Sequence, residues 1–177
     1  MTPKPADRLG LVVRDAGEHD LAAIAALYAH HVQHGFGSFE EVPPDLAEMT
    51  RRWRTITAAG LPYLVVRDGT LFGYAYAAPF LDRSAYRFTL EDSVYVAPEA
   101  QRRGVGQALL GRLVERCSSL GYRQLVAMVG DSRNAGSIGL HAAHGFMRVG
   151  LLSGVGFKLG QTVDCVIMQR ALAPAAR

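Results

Sequence analysis

Glu91-Asp-Ser-Val-Tyr-Val-Ala-Pro-Glu-Ala-Gln-Arg-Arg-Gly-Val-Gly-Gln-Ala-Leu-Leu110 is the stretch from which the organisation of this chain can be read. Its first part is rich in β-branched and aromatic residues, which suit a strand, and Pro98 ends that strand because it has no N–H for a ladder. A short loop of Arg and Gly follows, and then a helix begins. The N–H groups of Arg103, Gly104, Val105, Gly106 and Gln107 fall where a helix starts, with no carbonyl four residues back, so they are free to meet an anion. Glycine at 104 and 106 keeps side chains out of a ligand's way. A dinucleotide fingerprint needs a third glycine where Leu109 stands, and a Walker loop needs a Gly-Lys-Ser/Thr that is absent. What remains is Gln101-x-x-Gly104-x-Gly106 behind a strand.

Outward from this stretch the chain keeps alternating between the two periods. The helix from Gly104 to Leu120 buries Val105, Leu109, Leu113 and Cys117 and stops at Gly121. Leu125 to Val129 is wholly apolar, as a strand covered on both faces should be. Asn134 caps a helix carrying Ser137, Ile138, Leu140 and His141, which ends at Gly145. Phe146 to Leu152 and Val163 to Arg170 read as a closing strand pair separated by the Gly154–Gly160 segment. Upstream, Leu11 to Arg14 is a short strand, and Asp20 is expected to cap a helix with Leu21, Ile24, Leu27, Tyr28 and His31 on one face. A Gly/Pro-rich loop with Phe36 and Phe39 leads to Asp45, the cap of a helix with Leu46, Met49, Trp53 and Ile56. Leu61 to Val66 and Leu71 to Pro79 form a hairpin about Asp68-Gly69, and Asp82 to Tyr86 is a polar connection.

With 177 residues, 49% of them hydrophobic and 20% charged, the chain suits one globular domain over 1–177 with flexible ends at about 1–9 and 172–177. The first residues lack the apolar core of a signal peptide and the longest apolar run, Leu71 to Leu81, is too short to cross a bilayer, so a cytoplasmic protein with no membrane partner is expected. Cys117 and Cys165 have no metal or redox spacing and read as reduced thiols. His30 and His34 have the spacing of a metal pair without a third ligand, so no metal is expected. The formal charge of +3 favours acidic ligands only mildly, and no aromatics are interleaved among Arg102, Arg103, Arg112 and Arg116, which argues against nucleic acid.

The glycine motif, the element order and Asn134 followed by His141-Ala-Ala-His-Gly145-Phe146 together resemble the GNAT acetyltransferase superfamily across nearly the whole chain. With Phe39-Glu40-Glu41, Arg83-Ser-Ala-Tyr86-Arg87, Glu91-Asp-Ser-Val-Tyr-Val and Gly156-Phe-Lys158-x-Gly160, the resemblance narrows to the phosphinothricin and methionine sulfoximine N-acetyltransferases. It implies an α+β fold with a mostly antiparallel sheet, in which two parallel strands, Phe88 to Val96 and Leu125 to Val129, splay apart. It also implies acetyl-coenzyme A, held by Val94, Tyr95, Val96, Gln101, Arg102, Arg103, Gly104, Val105, Gly106, Gln107, Ala108, Asn134 and Ser137. A homodimer is implied as well.

Attack of a free amine on a thioester needs a base for the ammonium, a polarised carbonyl and a proton for the thiolate. By resemblance Glu91 is the base; its other reading is a structural ion pair with Arg83 or Arg87. A main-chain N–H near Val96 would polarise the carbonyl. His141 serves either as acid or hydrogen-bond partner to the thiolate, or as amine-side base with Glu91 beside it. His144 reads as a surface histidine. No Ser-His-Asp or Cys-His nucleophile is present, which favours direct transfer to the amine. Arg83 and Lys158 are candidate anion partners of an amino-acid-like substrate, with Phe36, Phe39 and Tyr86 shaping its pocket; Phe36 and Phe39 read equally as pins of their loop. Thr162 stands where the subfamily commonly has an aromatic residue, which leaves open another small amine or a protein N-terminus. A non-catalytic acyl-coenzyme A sensor is the rival of a different class.

Overall fold

The computed structural model describes residues 11–173. The chain runs through β1 (Val13–Asp15), α1 (Leu21–His34), α2 (Leu46–Ala58), β2 (Tyr63–Asp68), β3 (Thr70–Pro79), β4 (Thr89–Val96), α3 (Val105–Ser119), β5 (Gln124–Gly130), α4 (Ala135–Ala143), β6 (Met147–Lys158) and β7 (Gln161–Ala171). The strands form one sheet in the order β1-β2-β3-β4-β5-β7-β6, antiparallel except for the β4–β5 pair. This is the expected α+β arrangement with four α-helices on the two faces of the sheet. No helix among the described residues is long and apolar enough to cross a membrane.

The β4–β5 pair organises the rest. Its rungs run only from Thr89↔Gln124 to Asp92↔Ala127. Beyond them β4 stays with β3 as far as Val96, and β5 stays with β7 as far as Gly130, so the two parallel strands part as the resemblance implies. Helix α3, which crosses between them, buries Val105, Leu109, Leu110, Leu113 and Cys117 against the sheet. Truncating a fully buried leucine such as Leu113 to alanine is expected to cost about 2–5 kcal/mol. Cys117 and Cys165 are both free thiols, and burial pushes the Cys117 thiol up to about 12.

Three local expectations are corrected. The Gly154–Gly160 segment is mostly strand: β6 continues to Lys158, an irregularity between Leu152 and Gly156 absorbs the glycines, and the turn is Leu159-Gly160, both at positive φ. Asp20 does not cap α1 with its side chain. It is fully buried, and its carboxylate is taken by Arg14 at 2.7 and 2.8 Å, by the Gly17 N–H at 2.9 Å and by Arg67 at 3.3 Å, because a buried charge needs partners more than a helix needs a cap. The C-terminal end is tied down further than expected: Leu172 is buried and its N–H donates to Arg123 O. The expected flexible end at about 1–9, and 174–177 of the other, lie outside the described residues.

Candidate active site

The gap between β4 and β5 has a defined polar edge. Thr89 O accepts from Phe80 N–H and Ala97 N–H donates to Phe72 O, so residues of odd number on β4 turn their backbone groups toward β3. Val94 and Val96 therefore turn theirs toward the gap, where β5 has already left. The Val96 carbonyl is met by His31 Nε2 at 3.0 Å; the remaining gap-facing groups have no strand partner. In the sequence His31 reads as part of an apolar helix face. Burial lowers its pKa, with the Val96 carbonyl opposing the shift, so its neutral ring donates this bond.

At the mouth of the gap, Gly104 adopts φ +79 and Arg102 φ +58, a left-handed path that turns the loop into α3. The first bond of the helix is Ala108 N–H to Gly104 O at 2.9 Å, which leaves the N–H groups of Val105, Gly106 and Gln107 ahead of the ladder. Gln101, Arg102, Gly104, Val105, Gly106 and Gln107 line one continuous cleft of about 1150 Å³ together with Val94, Tyr95, Val96, Asn134 and Ser137. Two members of the expected set do not. Ala108 is buried with its N–H spent inside the helix, and the Arg103 guanidinium lies over the Phe72 ring, 4.9 Å from its centroid. The Asn134 side chain accepts from Ser137 N–H at 3.1 Å, and so caps α4.

Period-two alternation sends neighbouring side chains of β4 to opposite faces. Tyr95 meets Tyr28 and His31 of α1, so Glu91 and Ser93 share the α1 face, while Asp92 points to the α3/α4 face and meets His141 of α4. Burial raises the Glu91 pKa and the nearby Asp92 charge raises it further. Among the described residues no ion pair joins Glu91 to Arg83 or Arg87. His141 Nε2 lies 2.9 Å from Asp92 Oδ2, and Nδ1 lies 2.7 Å from Ser137 O. Burial works against charge on this ring, but the Asp92 hydrogen bond and charge outweigh it and the pKa is raised. The alternative pairing of His141 with Glu91 does not form, because the sheet lies between them. His144, read as a surface residue near the helix end, is half-exposed at the end of α4 and also bridges α4 to α3 through Leu140 O and Gln107 O.

The loop after α1 walls the cleft. Phe36 and Phe39 line it, and they are also pinned. A Cβ on Gly130 would fall 1.8 Å from Phe36 O, and one on Gly156 would fall 2.7 Å from the Phe39 ring, so only glycine admits this packing. Lys158 is not an anion partner in the cleft. It is 3% exposed and donates to Ser38 O at 2.6 Å, while Ser38 Oγ and Tyr28 OH are 2.8 Å apart. Arg83 and Tyr86 are displaced too: they line a separate depression of about 620 Å³ with Phe80, Arg87 and Tyr122. Thr162 lies on the exposed β6–β7 hairpin, outside both. Sequence reasoning passes over Asp92, although a carboxylate on the buried side of a strand demands a partner.

A strand edge with unpaired amide groups, leading from a helix start that offers free N–H donors, suits a long ligand with amides at one end and phosphates at the other. The acetyltransferase (GNAT) family model matches residues 20–146, and the chain belongs to this family of enzymes. It is 55% identical to the phosphinothricin N-acetyltransferase of Alcaligenes faecalis over 179 residues, covering 97% of this chain and 91% of that one. It is 38% identical to an L-methionine sulfoximine/L-methionine sulfone acetyltransferase of Pseudomonas aeruginosa, over 92% of this chain and 95% of the relative. The solved phosphinothricin acetyltransferase of Sinorhizobium meliloti, in complex with AcCoA, superposes with a TM-score of 0.90 at 46% identity, covering 94% of this chain and 91% of that chain.

Proposed function

We propose that this enzyme transfers the acetyl group of acetyl-coenzyme A to the free amine of a small amino-acid-like substrate of the phosphinothricin, methionine sulfoximine or methionine sulfone type. The observation that carries this reading is the position of Glu91: a half-buried carboxylate with a raised pKa, opening onto the cleft beside the parted strands. The names of the relatives and the complex with AcCoA support the substrate class and the donor.

The gap-facing groups of Val94 and Val96 would hold the pantetheine arm. The N–H groups of Val105, Gly106 and Gln107, with Arg102 and Gln101, would hold the pyrophosphate. Bound there, the thioester supplies an activated acetyl carbon. Glu91, on the α1 face, takes the ammonium proton and releases a nucleophilic amine. The Val94 N–H, the first gap-facing donor past the vertex, donates toward the developing oxyanion. The amine nitrogen forms the amide bond as the C–S bond breaks, and the second proton it loses ends on sulfur. His141, paired with Asp92, stands on the cofactor face of the same strand. Phe36 and Phe39 wall the amine side.

The same proposal includes a homodimer built on β6. This strand is the last in the sheet, and it exposes Met147 at 71%, Val149 at 53%, Val155 at 57% and Phe157 at 69%, an apolar edge that a second copy would cover. Sedimentation should give twice the chain mass, and monomers at all working concentrations would remove the dimer. The reading of activity is tested by thiol release from acetyl-coenzyme A with phosphinothricin, methionine sulfoximine and methionine sulfone against a peptide amine. Turnover on the peptide alone would sink the substrate class, and binding without any turnover would leave a sensor.

A further inference from the structure

Asp92 carries one oxygen that the fold does not use. Oδ2 meets His141 Nε2 at 2.9 Å, whereas Oδ1 is buried without a hydrogen-bond partner among the described residues. The residue is 4% exposed, lines the cleft, and stands on the last rung before β4 and β5 part. An orphaned carboxylate oxygen in such a place costs stability unless something meets it.

His141 decides what can meet it. Its Nδ1 is 2.7 Å from Ser137 O, an atom that only accepts, so Nδ1 carries a hydrogen. The pair then holds one further proton, between Nε2 and Oδ2, and Oδ1 remains an acceptor. Its ligand is therefore a hydrogen-bond donor. The substrate ammonium is a poor match, since Glu91 serves the opposite face. An arm lying along Val94 and Val96 brings its sulfur end to the vertex of the gap, where Asp92 stands.

We propose that Asp92 Oδ1 is the acceptor for the thiol of coenzyme A, formed at the vertex of the β4–β5 gap. This rests on the acetyl-coenzyme A reading given above. The thioester has no S–H to offer. When the C–S bond breaks, its electron pair stays on sulfur, sulfur gains the proton lost by the amine nitrogen, and the new S–H bond points at Oδ1; Asp92 itself gains no proton. The contact thus exists only on the product side, and it distinguishes the free thiol from any S-substituted coenzyme A.

Calorimetric titration of the full chain with coenzyme A and with S-methyl-coenzyme A tests this. The wild type should prefer the free thiol by roughly three- to tenfold, the range for a weak donor meeting a charged acceptor. Asp92→Asn should narrow the preference and Asp92→Leu should abolish it. Equal binding of the two ligands by the wild type, or an undiminished preference in Asp92→Leu, overturns the proposal. Should Asp92→Leu not fold, the wild type and the Asn variant still decide. Absence of binding by either ligand is a different result, since it removes the cofactor reading itself.

Discussion

Glu91 and Asp92 are adjacent in sequence and project from opposite faces of the sheet, at the rung where β4 leaves β5. One carboxylate looks toward α1 and the loop with Phe36 and Phe39; the other is joined to His141 under α4. The strand thus gives the two carboxylates different neighbourhoods, while the charge of Asp92 still adds to the cost of ionising Glu91. Burial with no cation leaves Glu91 a stronger base than a surface carboxylate, whereas His141 holds Asp92 in a shared-proton pair.

Glu91→Gln is expected to lower kcat by about 10²–10⁴-fold, the usual range for loss of a general base, with acetyl-coenzyme A affinity within about twofold of wild type. The acidic limb of kcat/KM should lie above the ordinary carboxylate range and vanish in the variant. Steady-state kinetics across pH with calorimetry check both, and an unchanged acidic limb counts against the assignment.

The same substitution should raise thermal stability at neutral pH. A carboxyl whose folded pKa is above its unfolded value binds more protons when folded, so its ionisation penalises the fold above that pKa and the penalty fades as pH falls. Melting curves of wild type and Glu91→Gln should separate at pH 8 and converge toward about pH 4. Coincident curves at pH 8 would show that burial of Glu91 costs nothing.

His141 has the opposite sign. Its raised folded pKa contributes stability that is complete below the unfolded value of about 6.5 and lost as pH rises through the folded pKa. Breaking the buried pair with His141→Gln should cost about 3 kcal/mol at pH 6 and less at pH 9, read by urea denaturation. A difference independent of pH would contradict the shared proton.

Gly104→Val should weaken acetyl-coenzyme A binding by tenfold or more while leaving the fold intact, because a β-branched residue resists φ +79 and the loop must move. The measurement is calorimetry beside circular dichroism. Native affinity in this variant would remove the loop from the cofactor site.

Lys158→Met should raise the KM of phosphinothricin and of methionine sulfone by similar factors. Its ammonium grips Ser38 O and so fixes the loop, rather than meeting a charged substrate group. An effect confined to the anionic phosphinothricin would restore a direct role for Lys158.

Much of this was legible in the residues. The strand-loop-helix of 91–110 and the alternation of periods around it fixed the element order, because each of those elements satisfies its own pattern locally. Charge and motif point Lys158, Arg83 and Tyr86 toward the substrate, but charge does not reveal where a long side chain ends. Lys158 folds inward to a carbonyl 120 residues away in sequence. The Gly154–Gly160 segment reads as a loop because glycine weakens strand propensity; pairing with β7 overrides that. Asp92 was hidden by its neighbour, although strand parity puts it on the buried face.

Phe39 rests on Gly156 of β6, and Lys158 at the end of that strand holds Ser38. The loop that walls the cleft and the outer edge of the sheet are therefore one mechanical piece. If the proposed dimer covers β6 and so stiffens the wall, then by thermodynamic reciprocity a substrate that stiffens the wall favours the dimer. In that dimer substrate affinity would depend on protein concentration, a coupling between assembly and recognition that needs no moving domain.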